Sequence, residues 1–172
     1  PNNMPTGLKQ TSSLIVIGAR VTETAANTFT QGRIDLQLNP LDNEVFVVTG
    51  VDMDPQFPDQ IAGARSALSF AMTTTNQATF PLFNSSALIA QKIQVLDDTI
   101  PGTGTYMETS SMDTPPSMIE YLAIISTNDF FLQIEGLVQA GAKAGSCKVY
   151  GYRARADSSV YAALVQSEVL SA

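Results

Sequence analysis

The side chains that most often carry acid–base and nucleophilic chemistry are scarce in this sequence. Its 172 residues include no His and a single Cys, Cys147. A Ser-His-Asp triad, a Cys-His pair, a His-based or thiolate zinc site and an internal disulfide are therefore excluded. Lys148 follows Cys147 directly and could lower the pKa of the thiol, but no His can act as its partner. We expect a buried, inert thiol, with a disulfide to a second copy as the alternative.

Carboxylates are the remaining candidates for a metal site. Asp52 and Asp54 are spaced to project from one side of a strand, and Asp97 and Asp98 are adjacent. Such oxygen ligands suit a hard cation, but calcium needs further oxygens and a loop that wraps the ion. No Asp-x-Asp-x-Asp-Gly loop is present. We expect solvated or backbone-capping carboxylates, with no metal and no cofactor, and leave a cation at either pair as the alternative.

A glycosidase would need two carboxylates facing each other across a cleft. Glu120 and Glu135 lie in apolar segments and are the candidates. Alternation places Glu135 on the face opposite Phe130 and Leu132, so we expect a side chain that points to solvent. The sequence also has no phosphate-binding loop and no Ser nucleophile elbow. We therefore assign no catalytic residue and expect that the chain is not an enzyme.

Aromatic side chains suggest a different kind of site, a platform on which a sugar ring could stack. Trp, which commonly serves this purpose, is absent, and we expect most of the aromatics to fill the core or cover sheet faces. The candidates for such a platform are Phe80, Phe83, Tyr106, Tyr121, Tyr150, Tyr152 and Tyr161.

Strand patterns recur along the chain and would have to position these residues. The predicted strands are 13–20, 22–30, 33–39, 44–52, 65–75, 88–96, 120–126, 129–138 and 148–155. Pro-, Gly- and Asn-rich turns separate them, and 140–145 reads as a hairpin loop. The segment 114–117 could start a short helical turn, and Asp157 could cap a C-terminal helix with Val160, Leu164 and Val165 on one stripe. We predict one all-β domain over 1–172, a jelly-roll sandwich or barrel of about eight to ten antiparallel strands with at most two short helices.

The most unusual segment is Ser66–Gln91, which contains no charged residue in a chain that is 15% charged. Depletion of charge is the mark of an interface core. The part from Thr73 to Ala87 is either an arm that packs against another subunit or a polar loop over the chain's own core. The residues that we predict at a subunit interface are Thr73, Phe80, Leu82, Phe83, Arg153 and Arg155.

The net charge of −7 argues against a nucleic acid partner, because phosphate binding needs clustered Lys and Arg. No apolar run approaches the ~20 residues that span a bilayer, and Pro1–Gly7 does not resemble a secretory signal. We expect synthesis in a cytoplasm. Pro-containing segments at 54–59 and 97–104 could act as hinges for a strand-exchanged dimer.

The chain resembles the small major capsid proteins of sphaerolipovirus-like, membrane-containing icosahedral phages, of the Thermus phage type. The residues behind this resemblance are Pro1–Pro5, the neutral tract 66–91, and the strands 130–138 and 148–155. The resemblance implies a single upright jelly roll that acts as a coat protein of the virion. It also implies contacts with other copies, with a larger capsid protein over an internal membrane, and with viral membrane proteins. A carbohydrate-binding or host-attachment module on a phage particle is the alternative, and a carboxylate enzyme is a third possibility.

Overall fold

A computed structural model describes residues 4–111 and 120–171. This part of the chain forms ten strands, a short 3₁₀ turn (Pro40–Asp42) and one α-helix, α1 (Ser158–Ser171). The strands are β1 (Leu8–Gln10), β2 (Ile15–Thr22), β3 (Thr30–Asp35), β4 (Glu44–Pro55), β5 (Arg65–Thr73), β6 (Leu88–Asp97), β7 (Thr105–Ser110), β8 (Ala123–Ile125), β9 (Asp129–Leu137) and β10 (Ala144–Ala156). No helix in the described ranges is long and apolar enough to cross a membrane.

The strands form two antiparallel sheets. In sheet I, β10 pairs with β1 and β2 along one side and with β4 on the other, and β8 follows β4. Sheet II has the order β3-β9-β5-β6-β7. Four antiparallel pairs are nested in the chain, namely β2 with β10, β3 with β9, β4 with β8, and β5 with β6. This winding of nested pairs into two facing sheets is a jelly roll and confirms the predicted fold.

The main core lies between the two sheets. Alternation along β5 turns Leu68, Phe70 and Met72 inward, and Phe46 and Val48 of β4 meet them from sheet I. All five side chains are buried. Burial of this apolar surface is what holds the two sheets together.

A second, smaller core explains why β4 is apolar on both faces. Val45 and Val47 point away from the main core and are covered by Val160 and Leu164 of α1. The helix begins after Asp157, whose Oδ1 accepts a hydrogen bond of 2.8 Å from the amide of Val160. The predicted cap is therefore confirmed, and α1 covers the outer face of sheet I at one end of the barrel. Of the predicted stripe, Val160 and Leu164 pack against this core, whereas Val165 is half-buried and is not part of it.

Some predicted local elements are wrong. The segment 140–145 is not a hairpin loop, because β9 belongs to sheet II and β10 to sheet I, so the chain crosses between sheets there. The predicted strand 22–30 is mostly a loop, since Glu23 turns inward and Asn27 has a positive φ of 60°. The strand predicted over 33–39 ends at Asp35, and Gln37 is left-handed with φ 53°. The segment 114–117 lies outside the described residues.

Candidate functional site

The direction of the strands divides the connections between two ends of the barrel. We call one the Glu23 end; it is formed by the connections 23–29, 56–64, 98–104 and 138–143. The Phe83 end is formed by 36–43, 74–87 and 126–128, together with the last turn of α1. The strongest candidates for a functional surface lie at these two ends.

The connection 74–87 is the part of the charge-free tract 66–91 that lies between strands β5 and β6. The base of this connection lies on sheet II. Gln133 is on the outer face of β9, yet it is completely buried. Its Nε2 donates to Thr73 Oγ1 (2.7 Å) and to Gln31 Oε1 (2.8 Å). Gln31 Oε1 also accepts from the amide of Gln77 at 2.9 Å. These hydrogen bonds between amide and hydroxyl groups hold the base of the connection on sheet II without any charged group.

The tip of the same connection is apolar and faces solvent. Leu82 and Phe83 are 74% and 71% exposed, whereas Pro81 is buried and Phe80 is half-buried. A tight turn in which the amide of Ser85 donates to Leu82 O (3.0 Å) presents the two exposed side chains together. A neutral apolar tip on a hydrogen-bonded base is a surface that another molecule could cover without desolvating charges.

The remaining predicted interface residues have contacts within the chain. Thr73 has no exposed surface, so it could support a contact at this end only from beneath. Arg153 lies on the core-facing side of β10 and donates to Leu36 O (2.8 Å) and to Glu44 Oε1 (2.8 Å). Arg155 is more exposed and lies 3.4 Å from Asp42. That the predicted residues meet another subunit remains a prediction.

Asp52 and Asp54 lie at one depression, whereas Asp97 and Asp98 are held by separate structural bonds. Asp52 Oδ2 accepts from the hydroxyl of Tyr150 (2.9 Å) at an open depression of about 600 Å³ on the outer face of sheet I, where Asp54 also lies. Asp98 is buried, and its two oxygens accept from Gly102 N (3.1 Å) and Gln60 Nε2 (3.2 Å). No group of His, Cys, Asp or Glu residues in the described ranges is arranged to hold a metal ion.

Asp97 is held in its charged form. The backbone amide of Thr99 and then the guanidinium of Arg65 lower the pKa of Asp97 to about 2. Arg65 Nη2 lies 2.8 Å from Asp97 Oδ2 across the β5–β6 pair. This carboxylate is therefore a structural group at the Glu23 end.

The two glutamates considered for glycoside hydrolysis do not form a pair. Glu135 is on the outer face of sheet II, directly opposite Ser69, whereas Glu120 precedes β8 of sheet I. Cys147 is buried as predicted, and burial raises the pKa of its thiol to about 11. A thiol that stays protonated at neutral pH is a poor nucleophile.

Two buried carboxylates are important in the structure and were not predicted from the sequence. Glu23 accepts hydrogen bonds from the amides of Thr28 (3.0 Å), Gly136 (2.9 Å) and Lys143 (2.9 Å). Glu168 of α1 accepts from the amides of Ser126 (2.7 Å) and Thr127 (3.1 Å). A carboxylate that binds backbone amides leaves no periodic pattern in a sequence; the only available signal was an acidic residue within an otherwise uncharged stretch.

Comparisons with known proteins add little to this geometry. No protein-family model and no curated protein matches the chain. Among solved structures, a chain of Desmodium yellow mottle tymovirus aligns over 91% of this chain and 94% of its own length, with a TM-score of 0.32 and 7% sequence identity. Similarity at this level assigns neither a family nor a function, so the functional argument depends on the contacts of the chain itself.

Proposed function

We propose that this chain is a structural coat protein of a virus, whose copies associate into a shell through the Phe83 end. The observation that carries the proposal is the exposure of Leu82 and Phe83, 74% and 71%, at the tip of a charge-free connection. Large apolar side chains that are adjacent, exposed and set in an uncharged segment are typical of the centre of a protein–protein contact.

The jelly roll is compatible with this role but does not select it. The same architecture serves viral capsids, lectins and cupins. The candidate carboxylates favour a role in contacts over catalysis. Asp98 binds the chain's own groups, and Glu135 lies on a strand of sheet II, whereas Glu120 precedes a strand of sheet I. We therefore propose that the protein functions through contacts with neighbouring subunits and has no enzymatic activity.

The finer part of the proposal comes from the resemblance to phage coat proteins. We propose that the chain is made in the cytoplasm of a bacterial host and becomes part of a virion. There it packs with a larger coat protein over an internal membrane, without binding nucleic acid. Arg155, exposed at the end of β10, is the candidate donor of a salt bridge to a neighbour, alone or with Arg153.

Light scattering coupled to gel filtration tests the main proposal. The wild-type protein should form oligomers whose mass rises with concentration, and the double variant Leu82→Asp, Phe83→Asp should weaken association at least tenfold, because it would bury two carboxylates without partners. The matched control is Phe57→Asp, since Phe57 is 73% exposed but lies at the Glu23 end. A wild-type protein that stays monomeric at high concentration, or a double variant that associates like the control, would contradict the proposal.

Isolated particles test the finer part. Mass spectrometry should find this chain together with a larger coat protein, and lipid extraction should disrupt the shell. A particle built from this chain without lipid or a second coat protein would refute the two-protein arrangement but leave self-association in place.

A further inference from the structure

At the Glu23 end, two aromatic rings form an exposed corner. Phe57 follows β4 of sheet I and is 73% exposed, and Tyr106 is on the edge strand β7 of sheet II. Their ring centroids are 6.0 Å apart and the ring planes meet at 70°. A perpendicular pair leaves ring surface open to the solvent, and a flat apolar ring face is a surface on which the C–H face of a sugar can pack.

A polar cluster lies directly behind this corner, on the core-facing side of β6 and β7. Glu108 Oε2 accepts from the hydroxyl of Tyr106 (2.6 Å) and from Gln94 Nε2 (3.3 Å). Glu108 Oε1 lies 3.2 Å from Lys92 Nζ, which also donates to Met53 O at 3.5 Å. Lys92 and Gln94 of β6 are the cross-strand partners of the core residues of β5 and share their inward face. Polar groups here therefore occupy positions that are apolar elsewhere in the barrel.

The hydrogen bonds of this cluster are incomplete. Gln94 is 3% exposed, and its Oε1 has no partner in the described part of the chain. A buried acceptor without a donor is costly. Glu108 Oε1 retains an acceptor position beyond its bond to Lys92, and the ammonium of Lys92 retains one of its three donor positions. The cluster can therefore take both a donor and an acceptor from a ligand.

The charges of the cluster define the chemistry of that ligand. Hydrogen bonding from Tyr106 lowers the pKa of Glu108, and burial, followed by the bond to Glu108, raises the pKa of Tyr106 to about 12. At neutral pH the cluster therefore holds one carboxylate, one ammonium and one phenol, with no net charge. An anion would be opposed by Glu108 and a cation by Lys92, whereas a hydroxyl group can donate to one and accept from the other.

We propose that the corner between Phe57 and Tyr106, together with Glu108, Lys92 and Gln94, is a binding site for a neutral carbohydrate. A pyranose ring packs against the exposed aromatic face, and its hydroxyl groups bind Glu108 and Lys92, while the buried Gln94 holds Glu108 in place through its Nε2. The site lies at the opposite end of the barrel from Leu82 and Phe83, so carbohydrate binding and self-association use separate surfaces.

Saturation-transfer NMR with glucose, galactose, mannose and N-acetylglucosamine tests the site, with glucosamine and glucose 1-phosphate as charged analogues. We expect at least one neutral sugar to bind in the millimolar range. Phe57→Ala should weaken it about tenfold, because the stacking surface is removed. Glu108→Gln should also weaken it, since the charged acceptor is lost. The matched control is Phe83→Ala, which removes a ring of nearly equal exposure at the other end.

Thermal unfolding of each variant shows that the fold is retained, which we expect for Phe57→Ala because Phe57 is exposed. The proposal is overturned if no neutral sugar binds, if Phe57→Ala binds as well as Phe83→Ala, or if a charged analogue binds more tightly than the neutral sugar.

Discussion

The two ends of the barrel hold their connections by different means. At the Glu23 end, charged and amide side chains point inward and join one connection to the next, as Lys143 does with Asp59 at 2.7 Å. Gln139 links the same connections, since its Oε1 accepts from Asp59 N (2.7 Å) and its Nε2 donates to Ala67 O (2.8 Å). At the Phe83 end, the connection 74–87 has no charged residue and turns an apolar tip outward. Charged side chains join the connections at the Glu23 end, whereas uncharged amide and hydroxyl groups hold the connection 74–87 at the other.

Removing Glu23 should give the largest loss of stability. In Glu23→Ala, the amides of Thr28, Gly136 and Lys143 lose their acceptor, and we expect a loss of about 4 kcal/mol in the free energy of unfolding. Urea unfolding measures it. Glu135→Ala is the control, with an expected change of about 0.5 kcal/mol or less, because Glu135 is on the outer face of its strand. Equal losses of unfolding free energy in the two variants would show that Glu23 stabilises the fold no more than an ordinary surface carboxylate does.

Glu168 is the comparable group at the Phe83 end, and its removal should have a smaller effect. Glu168→Ala deprives Ser126 N and Thr127 N of their acceptor, and we expect a loss of roughly 2 kcal/mol. Hydrogen exchange should rise in 158–170 and 126–127 and stay unchanged at the Glu23 end. A loss of hydrogen-exchange protection that is spread evenly over both ends would show that the two ends are not independent in stability.

Acidification should destabilise the Glu23 end before it affects the Phe83 end. The pKa values of Asp59 and Asp97 are lowered in the folded chain, in Asp59 foremost by its hydrogen bond from Lys143, and in Asp97 foremost by the amide of Thr99. Because the folded values lie below the ordinary 3.8, the stabilisation is present above that pH and is lost as the pH falls through about 2 for Asp97.

The connection 74–87 contains no ionisable side chain. Hydrogen exchange corrected for its intrinsic pH dependence should therefore increase in 56–64 and 98–104 on acidification from pH 5 to pH 2, before it increases in 74–87. The reverse order would contradict the roles assigned to Asp59 and Asp97.

The smallest effect on folding is expected at the exposed tip. Leu82→Ser and Phe83→Ser should change the free energy of unfolding of the monomer by about 0.5 kcal/mol or less, because both side chains are already in solvent. Chemical unfolding at low protein concentration measures this change. A large destabilisation would show that the tip packs against its own chain, which would weaken the case for association at this end.

The fold was predictable where one face of a strand is buried. β5 shows a clean alternation of Leu68, Phe70 and Met72, and β4 is apolar on both faces because α1 covers the second one. β7 was missed because five of its six residues are exposed, and β1 because it has only three residues. Neither strand carries a pattern that burial would impose.

The candidate surfaces were less predictable. Leu82 and Phe83 could be picked out because a charge-free stretch is visible in the sequence, whereas the burial of Thr73 depends on Gln133, 60 residues further along the chain. The corner between Phe57 and Tyr106 brings a connection that follows sheet I against an edge strand of sheet II, and no local pattern indicates that the two rings meet. Contacts made across a jelly roll are set by topology, and sequence spacing does not reveal them.

The position of β10 also determines how late in synthesis the barrel can close. β10 is the middle strand of sheet I, although it follows every other strand in chain order, and in the described ranges it is the only partner of β1 and β2. While the ribosome is still making residues 144–156, a nascent chain has no strand against which β1 and β2 can pair. Closure of the barrel is therefore delayed until synthesis of this segment is complete, and until then the unpaired edges of β1 and β2 are open to association with other unfinished polypeptides.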